Sequence, residues 1–154
     1  MTRGVAAMAS FRQTLSGMLT AVVNAEGPVK AIDVCRSQAP RLAAAASTDG
    51  VTVGRATDRA RNSAHGLVGW RRDAFAELAA MPPDARANAR VVRTLDDGAV
   101  AIAQPLLINP PCLICHGTDL SAEVKAALAT HYPDDQATGY AVGDLRGIVW
   151  AEVR

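Results

Sequence analysis

Arg90-Val-Val-Arg-Thr-Leu95, Asp96-Asp97-Gly98 and Ala99-Val-Ala-Ile-Ala103 read as two strands around a tight turn. Asp-Gly readily supplies the positive φ angles that such a turn needs. A hairpin predicts antiparallel pairing, and the flanking sequence extends it. Val51-Thr-Val-Gly-Arg55 alternates with period two after an Asp49-Gly50 turn, and Ile148-Val-Trp-Ala-Glu-Val153 reads as a closing strand. The helical signals lie mostly ahead of these strands. Leu15, Leu19, Val22 and Val23 recur at three- and four-residue steps, predicting a helix over 11–25, with residues 1–10 expected to be a disordered remnant or tag. Pro28 suits the first turn of a second helix with the stripe Val29, Ile32, Cys35, Ala39 and Leu42, which Pro40 is expected to kink near Arg36 or divide. Residues 56–69 read as a long loop, and Trp70, Ala74, Phe75 and Leu78 mark a third helix that Pro82-Pro83 closes. Ser121 caps a last helix through about Thr130, with Glu123 complementing its dipole. With no alternating βαβ rhythm, the expectation is an α+β fold with a small antiparallel sheet, in one domain over 11–154.

The composition narrows the classes. The 154 residues carry 16 Lys+Arg against 15 Asp+Glu, so no whole-chain field recruits nucleic acid. Hydrophobic residues at 49% exclude a disordered chain. There is no apolar run long enough to span a bilayer, and the N-terminus lacks the apolar core of a secretory signal. Aromatic residues make up only 4%, so the core is built from Ala, Val, Leu and Ile or is completed by a group the sequence does not encode.

Cys112-Leu-Ile-Cys115-His116 carries the chemistry. In a C-x-x-C-H pattern two thiols can form thioethers with the two vinyl groups of haem, and the adjacent imidazole can ligate iron. Two other uses of the same residues are weaker. A Cys-x-x-Cys redox pair normally opens a helix in a βαβ unit, which is missing here. A zinc site drawn from Cys35, Cys112, Cys115 and His116 needs the consecutive Cys115 and His116 to reach one tetrahedral ion. A haem c, one per chain and covalently held, fits best, and a porphyrin would also offset the aromatic shortage. Its second axial position has several candidates: Cys35, His65, His131, Met18 and Met81. Cys35 is distinguished by lying on an apolar helix stripe and by being the odd cysteine of three.

The chain resembles a bacterial family of haem c sensor domains with a PAS-like fold, also found as input modules of histidine kinases. Cys112-Leu-Ile-Cys115-His116-Gly117 and the stretch from Tyr132 to Gly147 carry the resemblance, and residues 31–40 and 55–62 match more loosely. It implies a six-coordinate haem with His116 and Cys35 as axial ligands, and helices packed around the haem beside the sheet. It departs at Asn62, followed by Ser63-Ala64 rather than proline, and at Trp70, followed by Arg71-Arg72 rather than an acidic residue.

On this basis the expected function is a periplasmic redox or gas sensor, taking CO, NO or another diatomic and reporting to a redox or signalling protein. An electron-transfer cytochrome c that never changes ligands is the first alternative. A small-molecule reductase or peroxidase is the second, but no acid or base constellation supports an enzyme. Thioether formation belongs outside the cytoplasm, so a removed leader is expected. Arg146 and Tyr140 are expected to contact haem propionates, an arginine being well suited to carboxylates. The apolar first helix is expected to pair two copies.

Overall fold

In the computed structural model, which describes residues 1–154, four strands form one antiparallel sheet between two unequal helical layers. The elements run α1 (Thr2–Glu26), α2 (Pro28–Ala46), β1 (Val51–Ala56), α3 (Trp70–Ala80), α4 (Pro83–Arg86), β2 (Val91–Thr94), β3 (Val100–Leu107), α5 (Leu113–His116), α6 (Ala122–His131) and β4 (Leu145–Val153). A single 3-10 turn at Ser63–His65 interrupts the loop after β1, and another at Pro110–Cys112 leads into α5. The sheet order is β1-β4-β3-β2, with every neighbouring pair antiparallel. The architecture is α+β, as expected.

The hairpin forms as its sequence dictates. Gly98 takes φ 80°, and the Ala99 N–H donates to Asp97 Oδ1 at 3.1 Å. The register pairs Val91 with Ala103 and Thr94 with Val100. Pro105 lies in β3 beyond the end of β2, so its missing N–H removes no bond from that pair. The central strand β4 shows the period of two directly. Val149, Ala151 and Val153 pack against α1 and α2, whereas Ile148 and Trp150 pack against α3.

Two expectations need correction. Residues 1–10 are not disordered: α1 begins at Thr2, with Gly4 and Met8 buried, and the Arg3 guanidinium donates to the carbonyls of Asp49 and Arg154. Small residues there let the helix lie close on β4, which a disorder signal read from composition misses. Met8, Phe11 and Leu15 are spent in the core between α1, α2 and the sheet. Finally, α2 is not divided at Pro40: it runs as one helix from 28 to 46, with Ala39 anchored in that same core. No helix of the chain is long and apolar enough to cross a membrane.

Candidate functional site

Beyond β3 the chain turns at Asn109 into the 3-10 turn and α5, which together present Cys112, Cys115 and His116. The Asn109 N–H donates to Cys112 Sγ at 3.4 Å, and the Gly117 N–H closes the turn on the Leu113 carbonyl at 3.0 Å. The segment after α6 straps this turn to the body. Tyr140 N–H donates to the His116 carbonyl at 2.9 Å, and Gly139 N–H to the Gly117 carbonyl at 2.8 Å.

His116 Nδ1 lies 2.7 Å from the Ala137 carbonyl oxygen. A carbonyl only accepts, so Nδ1 carries the proton and the Nε2 lone pair is left free. Burial, reinforced by the Arg61 and Arg146 charges, pushes the imidazole pKa down to about 3, so the ring is neutral. Tyr140 stands edge-on to it, with ring centroids 6.3 Å apart. This is an imidazole oriented by its second nitrogen and ready to ligate with the first.

Arg61 fixes that arrangement. Its side chain is 12% exposed, and it pairs with Asp135 through Nε and Nη2 at 3.0 and 3.1 Å. Nη2 also donates to the carbonyls of Cys115 (2.6 Å) and Ala137 (3.2 Å). Asp135 Oδ1 in turn accepts from the Ala137 N–H at 2.9 Å. Arg59 extends the same tie to the carbonyls of Gln136 and Thr138. None of Arg59, Arg61 or Asp135 was singled out from the sequence. All three fall within the stretches 55–62 and 132–147, and charge within those stretches was the available signal.

The three cysteines are reduced and half-buried. Burial pushes the Cys115 thiol up in pKa, and Cys35 and Cys112 lie near enough to add to that push. Cys35, on α2, is thus within electrostatic reach of Cys115. Cys35 packs against the core under α1 and α2, and Cys115 against the cluster of Ile32, Leu120, Val124 and Leu128. No three of the His, Cys, Asp and Glu side chains converge as a metal cage. The other axial candidates scatter. Met18 packs against the α1 core and Met81 against the α3 cluster, on opposite faces of the sheet, while His131 ends α6. His65 lies beside Arg55 and Arg146.

Arg146 donates through Nη1 to Thr57 Oγ1 (2.8 Å) and to the Arg59 carbonyl (3.2 Å) but pairs with no carboxylate. Burial, with the nearby Arg61 and Arg55, pulls its pKa below the usual range. Tyr140 lies under Arg59, whose guanidinium carbon is 4.2 Å from the ring centroid. The Tyr140 hydroxyl is buried, with the Arg146 guanidinium beside it. Beside the motif, then, stand cations without counter-anions.

Compared with known proteins, residues 5–153 match the model of a family described as Tll0287-like. The crystal structure of the cyanobacterial haem protein Tll0287 aligns with TM-score 0.68 at 24% identity, covering 97% of this chain and 91% of that one, and shows that the two share a fold. No curated protein matches the chain.

Proposed function

The chain belongs to the Tll0287-like family, and from that premise we propose that it is a haem-binding protein whose haem is held covalently by Cys112 and Cys115. Similarity to a solved haem protein supports the haem. The observation that carries the reading is the His116 Nδ1 contact to the Ala137 carbonyl at 2.7 Å, which leaves Nε2 as a neutral donor beside both motif thiols.

The residues fit such a group. The buried Arg146 guanidinium, which meets no carboxylate, supplies a cation for a propionate carboxylate, with Tyr140 beside it. The apolar clusters around Ile32, Leu120 and Val124 and around Ile108 and Ala137 supply a dry lining. Haem bound there supplies a one-electron couple and an iron with a second axial position. Cys35 is the residue we assign to that position. Its thiol would supply a sulfur ligand to the iron from α2, opposite in the chain to the imidazole of His116. We read the domain as PAS-like, supported by a single antiparallel sheet whose first and last strands are neighbours. A redox or gas sensor outside the cytoplasm, taking CO or NO and signalling to a protein partner, is the role that a releasable Cys35 supports. An electron carrier shares every feature on the His116 side and differs only in keeping Cys35 in place.

Mass spectrometry of denatured protein, matured with a c-type attachment system, tests the covalent claim. The wild type should gain one haem mass that survives denaturation. A Cys112→Ser/Cys115→Ser variant should not. Haem that is lost from the wild type on denaturation contradicts the attachment.

A further inference from the structure

At the free edge of β1 a cavity of about 280 Å³ opens between α2, β1 and the segment 63–68, with Ala39, one helical turn from Cys35, in its lining. Its charged and polar lining is Arg55, Ser63, His65 and Arg71, and no Asp or Glu reaches it. Phe11 and Trp150 close it from the two faces of the sheet. That volume is too small for a porphyrin and ample for a short organic acid.

The donors here outnumber the acceptors. Arg55 forms no ion pair. Arg71 stacks 3.7 Å above Trp150 and reaches Glu152 through Nη2 at 3.0 Å, yet its buried Nε has no partner. The Trp150 Nε1 is likewise buried without one. Gly54 permits this stack, since a Cβ there would lie 2.4 Å from the indole. The strand edge adds a further donor. Val53 N–H turns outward to Ser47 Oγ and Thr57 N–H to the His65 carbonyl, so the N–H of Arg55, two residues from each, faces outward as well. His65 is neutral, its pKa lowered to about 4 by burial and by Arg55 and Arg146, and contributes one N–H without adding charge.

We propose that this cavity is a carboxylate site, with Arg55 and Ser63 as the recognising side chains and Arg71 as a second cation behind them. The carboxylate can come from a free small organic acid or from a haem propionate reaching the strand edge, and only the second source rests on the haem reading above.

The test uses haem-loaded protein of known haem content, titrated with acetate, succinate and benzoate by calorimetry. It is paired with the propionate bending mode in the resonance Raman spectrum, and both measurements are repeated on Arg55→Gln and Ser63→Ala. Saturable binding weakened at least about tenfold by Arg55→Gln, with an unmoved propionate mode, identifies a free acid; tenfold is the loss of one charge-assisted hydrogen bond. No binding, together with a propionate mode that shifts in Arg55→Gln, identifies the haem propionate. Binding that Arg55→Gln leaves unchanged overturns the proposal. So does an absence of binding with an unmoved mode. Protein that carries no haem defeats the haem reading, while the calorimetry still decides the free-acid site.

Discussion

Around His116 the chain is held by polar ties, whereas Cys35 is held by packing alone. The motif turn is fastened through the Arg61–Asp135 pair, the Ala137 carbonyl and the backbone of Gly139 and Tyr140. Cys35 sits on a helix whose contacts with the rest of the chain are apolar, through Ile32 toward α6 and Ala39 toward the sheet. Hydrogen bonds fix direction, while apolar packing fixes position more loosely. The difference teaches that one side of the site is built to stay and the other is able to give.

The largest expected effect comes from breaking the polar side. Arg61→Ala leaves Asp135 buried without its cation and frees two carbonyls, and should cost about 3–5 kcal/mol in denaturant unfolding. A cost below about 1 kcal/mol would erase the contrast between the two sides. Acid should act next. His65 binds its proton at about 4 in the fold against an ordinary 6.5, so the unfolded chain takes up the proton first. Stability from this group is present above pH 6.5 and falls as the pH drops toward about 4. His116, lowered to about 3, adds a slope over the same range, so His65→Gln should make that stretch of a stability-against-pH curve shallower, and an unaltered slope would place the effect elsewhere. Cys35→Ala should cost only about 1 kcal/mol, since a small half-buried side chain is lost and no hydrogen bond with it. If it costs as much as Arg61→Ala, α2 is not the loose side. The smallest effect is expected from Tyr140→Phe in haem-free protein. Its hydroxyl has only the already bonded Arg146 guanidinium beside it, so removal should change stability by less than about 1 kcal/mol. A larger loss would mean that the hydroxyl is bonded.

The strands were legible because period-two alternation and the Asp97-Gly98 turn are local signals, and the Ser121 cap was legible for the same reason, its Oγ accepting from Val124 N–H at 3.3 Å. The start of α1 was not. Gly4, Ala7 and Met8 look like a featureless tail until β4 arrives from the other end of the chain to pack against them. Cys112, Cys115 and His116 announce themselves by spacing, and Cys35 by falling on a helix stripe. Arg61 and Asp135 are 74 residues apart, and nothing in either one's neighbourhood marks the partner. The β1 edge cavity was hidden for the same reason, since Phe11, Arg55, Arg71 and Trp150 meet only in three dimensions.

The most direct test of the central claim is the absorption spectrum of the matured protein, taken ferric, then reduced with dithionite, then under CO. A haem c bound by His116 and a releasable Cys35 predicts a thiolate-type ferric spectrum that Cys35→Ala abolishes, and a reduced form that takes up CO. A reduced spectrum indifferent to CO would favour the electron carrier, and a spectrum without haem bands would contradict the account.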